Sequence, residues 1–217
     1  MNPEAIRAFL EFFEPKKGRT VVIIDFANVD KWENTLHWKV GIQELARLLR
    51  HFSVGSQVLR RFYYGADYGP SEKSETLTLW SGGILQRAGY NRFEVIKKRV
   101  KYIHDPLRPA GQYQKKCDFD VEMALDLIKM RDNYDNVILF SGDGDLVCAF
   151  DYLNKEYGKT EFFVFAARGH IGKEIVDAES SGLIKKILYA DDFEYRLNPD
   201  HGRGGGAHAT VFRPPRR

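Results

Sequence analysis

The chain has 217 residues, 43% of them hydrophobic and 13% aromatic, which suits one compact domain with its own core and argues against general disorder. Its 33 basic and 30 acidic side chains leave a formal charge of +3, too mild to name a partner, so the placement of charge matters more than its sum. Two cysteines, Cys117 and Cys148, without a CxxC motif argue against a disulfide framework or a structural zinc site and fit a reducing, cytoplasmic compartment.

Residues 2–13 read as a short amphipathic helix with Ile6, Phe9, Leu10 and Phe13 on one face. The stretch carries acids and lacks a long uncharged core, so it fits neither a signal peptide nor a membrane span. Residues 15–18 (PKKG) break it. Residues 19–26 (RTVVIIDF) form the strongest strand, whose β-branched centre runs straight into Asp25, with Asn28 and Asp30 in the loop beyond. A helix is expected over 40–52 and a strand over 56–64. A Gly- and Pro-rich turn, a helix over 74–88 capped by Gly89, and a strand over 93–100 come next. Residues 101–116 hold Pro106, Pro109 and Gly111 and read as a long loop.

The segment 118–131 is an amphipathic helix with Val121, Ala124, Leu125 and Ile128 facing inward. A short apolar run, Val137 to Phe140, then suits a strand buried on both faces. It stops at Ser141-Gly142, and Asp143 and Asp145 open the next helix. A fifth strand is expected over 160–166 and a short helix over 172–178. Residues 183–188 suit a sixth short strand or a helix, and 191–197 are ambiguous. Alternating strands and helices imply an α/β fold, a three-layer α/β/α sandwich on a mainly parallel sheet of about five strands. The expected division is an N-terminal helix and linker (1–18), one domain (19–197) and a disordered Gly- and Arg-rich tail (198–217).

Asp25, Asp120, Asp143 and Asp145 sit where strand ends and helix starts meet the carboxyl edge of such a sheet, the edge where open α/β folds place ligands. Alone, Asp120 or Asp143 would serve as a helix cap. Asp25 is harder to explain that way, because it closes four apolar residues with no helix expected directly after it. Gathered without lysine or arginine between them, four acids repel unless a cation intervenes, and an all-oxygen set suits Mg²⁺ or Mn²⁺. Such a site can polarise a phosphate and activate water. Asn28 serves equally as the shaper of an Asx turn, and Asp118 and Asp126 stay open as participants. A haloacid-dehalogenase-type site needs an Asp where Ala27 stands. A dinucleotide site needs glycines that DFANVD lacks.

Three blocks, VVIIDFANV, KKCDFDVEMALD and VILFSGDGDL, together resemble the signature blocks of NYN domains, PIN-like nucleases related to the flap-nuclease fold. The resemblance runs over about 19–192. It implies a parallel sheet with an acidic pocket and metal-dependent endoribonucleolytic cleavage. Asp25 and Asn28 match its D-x-x-N, Asp120 and Asp126 its pair of acids six apart, preceded by Lys115 or Lys116, and Asp143 and Asp145 its S-G-D-x-D. The chain departs at Leu146, where an aromatic is common. Asn28 would then orient a ligand or water.

Basic and aromatic residues crowd the segment before Asp120: Lys97, Lys98, Arg99, Lys101, Tyr102, Arg108, Lys115 and Lys116, with His104 and Tyr113 interleaved. That composition matches single-strand binding, in which cations hold phosphate and rings stack on bases. Arg60 and Arg61 are a lesser candidate, since neighbours on a strand face opposite ways. The expected function is a Mg²⁺- or Mn²⁺-dependent ribonuclease acting on single-stranded or looped RNA, with DNA not excluded, no membrane partner, and a homodimer compatible with it. The alternative is a non-catalytic RNA-binding or regulatory protein on the same fold.

Overall fold

The computed structural model describes residues 18–50, 58–104, 113–158 and 160–201. The helix expected over 2–13, Arg108 and most of the tail expected over 198–217 lie outside them. A six-stranded parallel sheet runs through the molecule in the order β3-β2-β1-β6-β7-β8. Its strands are β1 (Thr20–Asp25), β2 (Val58–Ala66), β3 (Glu94–Arg99), β6 (Asn136–Phe140), β7 (Glu161–Ala166) and β8 (Ile184–Tyr189). Every residue of β1 and β6 is buried, as an apolar run without alternation requires.

Helices α1 (Phe26–Lys31), α2 (Glu33–Leu36), α3 (Ile42–Arg50), α4 (Leu79–Tyr90), α5 (Asp120–Lys129), α6 (Val147–Tyr157), α7 (Lys173–Ser180) and α8 (Glu194–Leu197) complete the layers. Two apolar clusters form, one on each sheet face. Val22, Ile24, Phe62 and Ile138 pack against α3 and α4, while Val21, Ile23, Leu139 and Val164 pack against α5, α6 and α7. The chain lays β2 and β3 to one side of β1, then returns to lay β6, β7 and β8 on the other. The order therefore reverses between β1 and β6, and a crevice opens at their carboxyl ends.

The expected mainly parallel α/β/α sandwich is present, and of the two readings left open for 183–188 the sixth strand is the one realised, residues 184–189 pairing with β7. Several other expectations are corrected. Residues 101–116 are not simply a loop: β4 (Lys101–His104) and β5 (Tyr113–Lys116) pair as an antiparallel hairpin beside the main sheet. Gly89 lies inside α4. The helix is closed by Asn91, and Arg92 takes the left-handed conformation (φ 60°) that glycine usually supplies. A helix does follow Asp25 directly, and Asp25 is its N-cap, accepting from the Asn28 N–H. On α5 the buried residues are Met123 and Leu127, whereas Val121 and Leu125 are exposed. Among the described residues, no helix is long and apolar enough to cross a membrane.

Asp126 has a structural task. Its Oδ2 accepts from the Arg61 guanidinium (2.9 Å) and from the Tyr63 hydroxyl (2.6 Å), tying α5 to β2 beneath the helix. Burial and this bond to a carboxylate push the Tyr63 phenol well above its ordinary range. Asp126→Ala removes the acceptor of the buried Tyr63 hydroxyl and leaves the half-buried Arg61 guanidinium with Glu94 alone as its carboxylate partner. We expect it to lower stability by about 2 kcal/mol in urea unfolding, with Asp126→Asn losing less.

Candidate active site

The parallel register sets Ile24 of β1 beside Phe140 of β6, so Asp25 falls level with Ser141, the first residue past β6. The Ser141 hydroxyl donates to Asp25 Oδ2 (3.2 Å) and accepts from the Asp143 N–H (3.1 Å), linking the two acid-bearing turns. A second link is tighter. Asn28 Oδ1 accepts from the Gly142 N–H (2.8 Å) and from Trp32 Nε1–H (2.9 Å), both buried. Gly142 must be glycine, since a Cβ there would collide with the His170 carbonyl, and the Gly142 carbonyl accepts from the Gly172 N–H (2.7 Å). Asp143 then caps a single 3₁₀ turn (Gly144–Leu146) that runs into α6, accepting from the Asp145 N–H (3.2 Å).

Asp120 opens α5 and reaches the same edge. One carboxylate oxygen from each of Asp120, Asp143 and Asp145 lies within 4.8 Å of the others, with Asp143 and Asp145 exposed and Asp120 half-buried. Burial and the charges of Asp143 and Asp145 push the Asp120 carboxyl up. Asp25 stands outside this trio. It is 9% exposed, both its oxygens accept hydrogen bonds, and burial followed by the Asp120 and Asp143 charges pushes its carboxyl up to about 6. Alongside lies a cavity whose wall adds Asp151, Glu174 and Asp177 to Asp145. Three oxygen donors within one ion's reach, amid further acids, fit a hard divalent cation such as Mg²⁺ or Mn²⁺.

The structure thus brings Asp120, Asp143 and Asp145 together, sets Asp25 behind them, and engages the Asn28 carbonyl oxygen with two protein donors. Asp126 lies further along α5 with Arg61. Asp118 pairs with Lys116 (3.3 Å). Of the basic residues, Lys98 pairs with Glu122 (2.6 Å), Lys115 with Asp67 (2.8 Å), and Arg99 donates to the carbonyls of Ser71 and Ser74. Tyr102 donates to the same Asp67 (2.6 Å). Lys97 and Lys101 are exposed. Ser141 and Glu174 have no site role in the sequence reading, and Trp32, expected to pack, does so while donating to Asn28. Ser141 stands inside the SGDGD block, and its hydroxyl beside an acid was the available signal.

A parallel α/β/α sandwich with acids gathered at the switch point of its sheet has the make-up of a PIN-like nuclease fold. The family model of the NYN domain matches residues 19–185, and the chain belongs to that family. It is similar to the low amplitude and bright protein LabA of Synechococcus elongatus, at 30% identity over 86 residues, which are 40% of this chain. The match spans only 45% of that relative's length. A protein of unknown function from Vibrio parahaemolyticus shares the fold, with a TM-score of 0.56 at 22% identity over 81% of this chain and 94% of its own.

The Asp25 carboxyl titrates higher in the fold than its ordinary 3.8, so the folded state gains protons before the unfolded chain does. Metal-free protein should therefore gain stability as pH falls from 7 through 6 towards 4. Asp25→Asn should be the more stable form above pH 6, by up to about 3 kcal/mol, and the difference should vanish near pH 4. Urea unfolding in EDTA at pH 4.5 and 7.5 reads this directly. Asn28→Ala, which orphans two buried donors, should cost about 3 kcal/mol in the same assay.

Proposed function

We propose that this chain is a divalent-metal-dependent ribonuclease that hydrolyses phosphodiester bonds of single-stranded or looped RNA. The observation that carries this reading is the convergence of Asp120, Asp143 and Asp145 at the switch point of the sheet. In this reading the three carboxylates hold Mg²⁺ or Mn²⁺. A divalent ion there supplies Lewis acidity, drawing in phosphate oxygens and making an adjacent water more acidic. The trio's own charge repels phosphate without that ion, so catalysis depends on metal.

Asp25 adds a buried negative charge behind the trio and fixes Ser141, and through it the Asp143 turn. Asn28 is a positioning residue that keeps the two turns in register. The β4–β5 hairpin leads through Cys117 to Asp120, so a strand lying along it reaches the acids. Lys97, Lys101, Lys115 and Lys116 offer cations to phosphates, and Tyr102, Tyr113 and His104 form an edge-to-face ring group for bases, with centroids 6.0 and 6.3 Å apart. Lys116 reaches a phosphate by leaving Asp118, an exchange that costs little at an exposed ion pair, whereas the Asp67 partner of Lys115 is largely buried and holds it more firmly. The free thiols, Cys117 half-buried and Cys148 exposed, suit a reducing cytoplasm.

Cleavage of labelled single-stranded and hairpin RNA with Mn²⁺ tests this. Asp143→Asn should cut at least about 100-fold more slowly than wild type. Mn²⁺ should raise the melting temperature of wild type and leave that of Asp143→Asn unmoved. A folded wild type that binds RNA and cuts neither substrate would overturn the enzyme reading in favour of a non-catalytic RNA-binding protein.

A further inference from the structure

A second cavity, of about 730 Å³, lies between the β4–β5 hairpin and the segment that joins β2 to α4. Lys101, Tyr102 and Tyr113 line it from the hairpin, Gly69 and Glu72 from the joining segment, and Arg99 from the end of β3. The volume is in the range of small-molecule sites, roughly 300–1,000 Å³. One carboxylate ties its walls together. Asp67 Oδ1 accepts from the Tyr102 hydroxyl (2.6 Å) and the Gly69 N–H (2.7 Å), and Oδ2 accepts from Lys115 (2.8 Å). Asp67 is itself fixed, because its N–H donates to the Ser81 hydroxyl (2.9 Å) and its carbonyl accepts from the Thr78 N–H (2.9 Å). Gly69 turns the chain with a φ of 80°, which glycine adopts without strain.

The lining selects a flat ring with polar edges over a phosphate. Tyr102 and Tyr113 meet edge to face, and Tyr113 is 42% exposed. An aromatic face bared beside a cavity is a stacking surface for a base. Arg99 is already engaged: its guanidinium donates to the carbonyls of Ser71 (2.8 Å) and Ser74 (2.8 Å) and lies over the Tyr68 ring. Glu72 is exposed and is the one acid among the described lining residues. A carboxylate accepts hydrogen bonds and donates none, so it repels phosphate and requires donors opposite it. Of the four RNA bases only guanine presents two donors side by side, N1–H and its N2 amino group, matching both carboxylate oxygens. Adenine and cytosine set a ring acceptor beside their amino group, and uracil flanks its N–H with two carbonyls, so each turns a lone pair toward the acid.

We propose that this cavity binds the base of an unpaired guanine nucleotide, stacked on Tyr113 and hydrogen-bonded through N1–H and N2 to Glu72. The inference rests on the reading that RNA lies along the hairpin, and it is independent of cleavage. Lys101 reaches the adjoining phosphate. Because β5 leads through Cys117 to Asp120, a guanine seated here sets which phosphate comes before the acids. Contacts to phosphate alone carry no sequence information, so any such preference has to come from a base contact of this kind.

Fluorescence anisotropy of labelled heptanucleotides with the full chain in EDTA tests the pocket without cleavage. UUUGUUU should bind at least about tenfold more tightly than UUUAUUU, UUUCUUU or UUUUUUU. Glu72→Gln should bring UUUGUUU down to the level of the others. Tyr113→Leu should weaken UUUGUUU by about tenfold. Both side chains are exposed, and melting temperatures matching wild type verify that the variants fold. Equal affinity for all four RNAs, or a guanine preference that survives Glu72→Gln, overturns the proposal and leaves RNA binding by the hairpin standing. No binding of any heptanucleotide overturns that reading and this inference with it.

Discussion

One amide oxygen holds the acid-bearing edge together. Asn28 Oδ1 takes the Gly142 N–H from the turn after β6 and the indole N–H of Trp32, which caps the end of α1, so the turns after the two central strands cannot drift apart without breaking buried hydrogen bonds. An unmade bond at such a site costs more than a made one contributes. The sharp approach of Gly142 to the His170 carbonyl extends the tie to the turn beyond β7. Three successive strand ends are thereby clamped side by side. Placement of the carboxylates follows from the clamp rather than from any attraction among them.

Electrostatics at this edge run against folding. Burial pushes the carboxyls of Asp25 and Asp120 up, and the charges of neighbouring carboxylates, Asp143 among them, push them further. The fold tolerates the cost because β1 and β6 are wholly buried and the strands around them pack on both faces. At the amino end of β2 a separate cavity is lined by Arg50, Arg60 and Arg92.

The central strands were legible because unbroken apolar runs such as Val21–Ile24 and Val137–Phe140 suit little but a strand buried on both sides. The acids were legible because each ends such a run or opens the helix after it. The hairpin was not, since Lys101 to His104 and Tyr113 to Lys116 are too polar and too exposed to show a buried face. The inward face of α5 misled because Val121, Met123, Ala124, Leu125, Leu127 and Ile128 are apolar almost all round the helix. Packing against the sheet then selects Met123 and Leu127. Asn28 was read as a partner for ligand or water. Its engagement with a backbone N–H 114 residues away depends on strand register, which composition does not encode.

The pairing of β1 with β6 also governs when the acidic edge comes into being. Asp25 is made first, yet the strand that fixes its level and the turn bearing Asp143 and Asp145 come only after β2 and β3 have been made. Contacts this distant in sequence form late and slowly in folding. A nascent chain that has not yet reached Asp145, still tethered beside ribosomal and messenger RNA, has no complete trio of carboxylates. The clustered charge is a property of the finished domain, absent from every shorter intermediate of its synthesis.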